Sequence, residues 1–192
     1  MLCKLYNLLI VTLFLFASAT VFASGVMSEE DVDAVSRVRI TDEDKISKVA
    51  GLLAQYEIEA NKLIASLSSP ELTAEQLDQQ AQQLLSLSES VFKSARFRLP
   101  QCAVYLDETL KLKAHLATIS NEKLESDYHH DGALPKAPVE CYHTKDLFVH
   151  PATVIVLTRD DPSLMQKTKI AIEAEITEVL GHTDIVREVV IY

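Results

Sequence analysis

Apolar residues recur at alternating intervals of three and four from residue 46 onward. Ile46, Val49, Leu53, Tyr56, Ala60, Leu63 and Leu67 form one continuous stripe, the spacing that keeps every member on one face of an α-helix. Lys45, Lys48, Gln55, Glu59 and Lys62 fall on the other faces. Thr41, followed by Asp42, Glu43 and Asp44, predicts the start of this helix, because a hydroxyl caps the first amides and the helix dipole favours acidic side chains in the first turn. Ser68-Ser69-Pro70 predicts its end.

A second helix is predicted from Thr73, where Thr73 and Gln76 have the spacing of a capping box. Its stripe is Leu77, Ala81, Leu84, Ser88, Val91 and Ala95, widened by Leu85, Phe92 and Leu99. Gln79, Gln80, Gln82 and Gln83 form a solvated face. Pro100 breaks this helix, and a third is expected over residues 101–119. That segment carries two stripes, Leu106, Leu110, Ala114 and Ala117 beside Leu112, Leu116 and Ile119, as expected of a helix buried on more than one side. His115 shares the face of the second stripe and reads as a packed histidine.

Periodicity fails over residues 120–150, where Gly132, Pro135 and Pro138 fall with four of the six histidines. This stretch reads as a long irregular crossover, and structureless segments of such length inside a compact domain are uncommon and often functional. The β-branched run Thr153 to Leu157 fits either a strand or a buried helical turn. Asp160-Asp161-Pro162 predicts a helix start, and the helix that follows is expected to stop at Gly181, with a β-branched tail over residues 184–192. If both β-branched runs are strands, the C-terminal third is a strand-helix-strand unit and the class is α+β. Only 4 glycines, few aromatics and well-capped amphipathic helices favour a mainly α bundle of four to five helices with a long crossover loop.

The N-terminus adds a compartment. Lys4, the apolar run from Leu8 to Phe16 and the small residues ending at Ala23 have the layout of a secretory signal peptide over residues 1–23. The apolar run is shorter than the roughly 20 residues of a spanning helix, so cleavage near Ala23 and a periplasmic or secreted location are expected, with no stable membrane insertion after cleavage. Residues 24–40 form an acidic lead-in, and residues 41–192 are expected to be a single helical domain. The formal net charge of −10 disfavours nucleic acid and anionic membrane as partners. Beyond the leader two cysteines remain, Cys102 and Cys141, and an even count in an oxidising compartment predicts a disulfide.

The polar crossover holds the candidate chemistry. Asp127, His129, His130 and Asp131, with His143 and His150 further on, are ligand types for a divalent transition metal. Glu140 and His143 have the Glu-x-x-His spacing of di-iron bundles, but such a site needs two pairs and further glutamates. A zinc site using Cys141 conflicts with the disulfide. Glu178 and His182, four residues apart near an expected helix end, read as a structural pair. There is no Cys-x-x-Cys-His haem attachment motif, no Gly-x-Ser-x-Gly elbow and no glycine-rich phosphate loop. Two functions follow as expectations. The first is a non-enzymatic helical binding or accessory protein that acts on another exported protein and needs no cofactor. The second is a metal- or haem-handling protein that uses the histidine-rich crossover.

Overall fold

The computed structural model describes residues 29–191, with side chains from residue 43 onward. The expected leader over residues 1–23 and the first part of the acidic lead-in lie outside the described residues. The chain divides into two units, Met1–Arg37 and Val38–Tyr192, and the second holds a mainly helical bundle. Among the described residues six α-helices follow in order: α1 (Glu29–Ser66), α2 (Ala74–Arg98), α3 (Ala103–Leu110), α4 (Asn121–Leu124), α5 (Tyr142–Asp160) and α6 (Gln166–Ile191). No strand occurs among the described residues, which removes the strand-helix-strand alternative.

The stripes of α1 and α2 pack as their spacing predicts. Val49, Leu53, Tyr56, Ala60, Leu63 and Leu67 are buried, as are Leu77, Ala81, Leu84, Leu85, Ser88, Val91, Phe92 and Ala95. The capping box is formed: the Gln76 amide donates to the Thr73 hydroxyl at 3.2 Å, and the Thr73 amide donates to the Gln76 side chain at 3.0 Å. Thr41 does not start α1, because the backbone is already helical at Glu29.

The third helix departs from its expected form. α3 ends at Leu110 and the chain tightens into a 3₁₀ turn, Lys111–His115. Dropping from 3.6 to 3.0 residues per turn rotates the following side chains. Leu112, Leu116 and Ile119 keep the buried face, while Ala114, His115 and Ala117 turn to solvent. His115 is therefore not a packed histidine.

The largest correction lies after residue 120. The expected crossover loop is mostly helical: α4 runs into a π-helical turn, Glu125–His129, and a 3₁₀ turn, Val139–Cys141, leads into α5. Only residues 130–138 are irregular. α5 absorbs the run Thr153 to Leu157 and lies between α2 and α6. It is buried on nearly every side from Thr144 to Val156, so it shows no amphipathic period.

Pro151 sits inside α5. Proline has no amide hydrogen, so the carbonyl four residues earlier, that of Leu147, lacks its helical donor. Tyr56 of α1 supplies one: its buried hydroxyl donates to the Leu147 oxygen at 2.9 Å. The pair fixes α1 against α5 three residues before His150.

Asp161 turns the chain between α5 and α6. Its carboxylate accepts from the Ser163 and Thr168 hydroxyls, each at 2.5 Å, and from the Met165 amide at 2.9 Å. Those hydrogen bonds, the Ser163 hydroxyl first, hold its pKa down to about 2. α6 then continues through Gly181, where a helix end is expected from sequence, and takes up residues 184–191. A Cβ added at Gly181 meets nothing within 4 Å. Gly181→Ala is therefore expected to raise stability by roughly 0.5–1 kcal/mol through helix propensity alone; a chemical denaturation midpoint that fails to rise would contradict a continuous α6.

Candidate metal centre

α5 and α6 face each other with matching polar stripes. His143, Asp146 and His150 lie at positions i, i+3 and i+7 of α5, and Glu175, Glu178 and His182 have the same spacing on α6. Each set falls on one face of its helix. The helices run antiparallel, so His150 meets Glu175 and Asp146 meets His182. His150 is fully buried, and its Nδ1 lies 2.7 Å from Glu175 Oε2. His182 Nδ1 lies 3.2 Å from Asp146 Oδ2, close enough for an ion pair but off the line of a hydrogen bond.

The π-helical turn closes the seam from the side. His129 Nδ1 lies 2.8 Å from Glu125 Oε2 within that turn. Its ring meets His150 edge-on, with centroids 4.8 Å apart, and stacks on the ring of His130. His150 in turn meets His182 at 5.6 Å, and His182 meets His143 at 4.7 Å. Five of the six histidines of the chain thus form one contiguous row.

Lys145 sets the position of the π-helical turn. This lysine, with only 3% of its side chain exposed, donates to the carbonyls of Tyr128 at 2.9 Å and His129 at 2.8 Å, and to Asp131 Oδ1 at 3.1 Å. These use all three protons of the ammonium. Asp146 Oδ1, 3.1 Å from the same nitrogen, therefore receives charge but no hydrogen bond. Two residues past the turn, Asp131 has φ 60°. The Gly132 amide then donates back to the Ser126 carbonyl at 2.9 Å. Glycine is required there because a Cβ would run into that carbonyl oxygen.

The donor chemistry is specific. A carboxylate only accepts, so Glu175 and Glu125 place the proton of each neutral partner imidazole on Nδ1. Nε2 of His150 and His129 then carries the lone pair, the arrangement in which a carboxylate orients a metal-ligating histidine. His150 Nε2 is buried and makes no hydrogen bond. One donor atom each from His129, His150 and Glu178 lies within 4.8 Å of the others, and so do donors from His143, Asp146 and His182, and from Glu125, His129 and His130.

The residues singled out from sequence separate into two groups. His129, His143 and His150 come together, and His130 stacks at the exposed end. Asp127 is paired with Lys123, and Asp131 is taken up by Tyr105 at 2.6 Å and by Lys145. Neither belongs to the ligand groups. Glu125, Lys145, Glu175, Glu178 and His182 complete the seam. Glu178 and His182 are thus not merely an intrahelical pair. The matching i, i+3, i+7 polar spacing on two neighbouring segments is the signal that would have located them. Cys102 and Cys141 form the expected disulfide, with Cα atoms 5.5 Å apart, which withholds both sulfurs from any ion. No known family model, curated protein or solved structure matches this chain.

Burial, with the charge of His182 adding to it, lowers the His143 pKa from its ordinary 6.5. Burial pushes the Asp146 carboxyl up, but His182, Lys145 and His150 outweigh it and hold it below 3.8. Both groups bind protons in the unfolded chain before they do so in the native one, so stability falls as pH falls. In the metal-free protein the loss is expected in two steps, one starting near pH 6.5 from His143 and one below pH 3.8 from Asp146. Denaturant titrations from pH 8 to pH 3 check this, and His143→Gln should flatten the upper step alone.

Proposed function

We propose that this protein binds a divalent transition metal ion through His129, His150 and Glu178, at the junction of α5, α6 and the π-helical turn. The supporting observation is His150: fully buried, oriented by Glu175 through Nδ1, with Nε2 unpartnered and turned among other donors. A buried imidazole nitrogen without a partner costs about 1–3 kcal/mol, and an ion coordinated there removes that cost. Two imidazoles and a carboxylate, with no thiolate, match zinc(II), copper(II) or nickel(II) rather than copper(I) or an iron–sulfur cluster. The histidine rings already meet ring to ring, which favours an ion over a haem plane between them. With the leader expected at residues 1–23, the ion is handled outside the cytoplasm.

The test is equilibrium dialysis of the untagged, chelator-treated protein against zinc(II), copper(II) and nickel(II) in turn, followed by elemental analysis. Stoichiometric retention at micromolar free metal is expected. No retention of any of the three overturns the reading. Action on another exported protein, the other function expected from sequence, stays a separate proposal, favoured if a fixed partner co-purifies and no metal does.

A further inference from the structure

We infer that the seam is a two-ion centre, in which a second divalent ion is held by His143, Asp146 and His182. The inference rests on the metal-binding reading above and extends it to residues that the first ion does not use. The two ligand groups, His129 with His150 and Glu178, and His143 with Asp146 and His182, share no residue. A tetrahedral ion takes four ligands, and the two groups together offer six donors, more than one such ion can use.

The second group has its own unsatisfied atoms. His143 Nδ1, His182 Nδ1 and Asp146 Oδ1 are all buried and make no hydrogen bond. Asp146 has only 9% of its side chain exposed. Its Oδ1 cannot be served by Lys145, whose three protons are directed to Tyr128, His129 and Asp131. His143 and Asp146 lie one turn apart on α5, and His182 faces them from α6, so the ligands stand on two packed helices. The donor atoms of each group lie within 4.8 Å of one another, and zinc–ligand bonds of about 2.0–2.2 Å require them to draw closer together as the ion binds.

Charge points the same way. Glu125, Asp131, Asp146, Glu175 and Glu178 surround the seam, and Lys145 is the cation set among them. With the histidines neutral, as metal ligation requires, five carboxylates against one ammonium leave four negative charges, enough to balance two divalent ions. Lys145 opposes entry of the second ion, so that site is expected to be the weaker.

Zinc(II) titration of the untagged, chelator-treated full chain, by calorimetry with elemental analysis of the product, tests this. Two ions per chain are expected, the second binding at least tenfold more weakly. His182→Gln and His129→Gln should each retain one ion, and the double variant none, with circular dichroism confirming the fold of each. One ion in the unmodified chain that survives His182→Gln overturns the second site and leaves the first standing. One ion lost in either variant means a single ion spanning both groups, which also overturns the proposal. No ion bound to any form removes both readings.

Discussion

His150→Ala is expected to abolish binding at the first metal site, the largest functional effect of any single substitution in this protein. The ring is fully buried and supplies the Nε2 donor. Its loss also leaves Glu175 without the partner that holds it. Because removal of a fully buried side chain also destabilises the core, Glu175→Gln is the companion variant. It keeps the volume and changes only how Nδ1 is held. Loss of such an outer partner typically costs 10–100-fold in metal affinity. We therefore expect competition titrations with a chromophoric chelator to show that drop for Glu175→Gln and no measurable first-site binding for His150→Ala. Unchanged affinity in Glu175→Gln would remove the carboxylate-oriented imidazole from the account.

Cys102→Ser is expected to cause the largest loss of stability. The bridge joins the 3₁₀ turn after α2 to the 3₁₀ turn before α5, across a sequence separation of 39. Closing a loop of that length stabilises the native state by about 4 kcal/mol in the chain-entropy model. At 2–4 °C per kcal/mol for a domain of this size, Tm should fall by roughly 8–16 °C. Calorimetry under oxidising conditions measures this, and reductant should shift the unmodified protein by the same amount while leaving the variant unaffected. The bridge also fixes the start of α5, two residues before His143. Its removal should weaken metal binding, first at the group that contains His143. The Gln101–Glu140 hydrogen bond, 3.2 Å long, runs beside the bridge and is exposed, so it cannot substitute for it.

The helices of the N-terminal half were legible because each buries a single face. Leu53, Tyr56 and Leu63, or Leu77, Leu84 and Val91, recur with the helical period because solvent lies opposite them. α5 was not legible for the converse reason. From Thr144 to Val156 almost every side chain is covered, so no polar face alternates with an apolar one. Pro151 also reads as a helix breaker until Tyr56 is seen supplying the missing donor at Leu147. Gly181 likewise reads as a stop, yet tertiary packing of Val179, Thr183 and Val186 carries α6 through it.

The site followed the same division. His129, His143 and His150 were singled out by residue type, and the disulfide by count and compartment. Asp127 and Asp131 were singled out by proximity in sequence, but ion pairing with Lys123 and hydrogen bonds from Tyr105 and Lys145 occupy them. Glu175, Glu178 and His182 are more than 20 residues from the nearest of those histidines in the chain, and only the matching i, i+3, i+7 spacing of the two segments, not a local motif, ties them together.

By itself, then, the sequence favoured the helical class and the Cys102–Cys141 pairing, and determined the stripes of α1 and α2, the cap at Thr73 and the residue types available for metal chemistry, since these depend on local period, local capping and count. Only the tertiary structure decided that residues 142–160 are helical, that α5 and α6 run antiparallel in a register that sets His150 against Glu175, and that Lys145 draws the π-helical turn onto them. These features come from packing between segments distant in the chain, where burial on all sides erases the periodic signal and a long-range hydrogen bond replaces a local one.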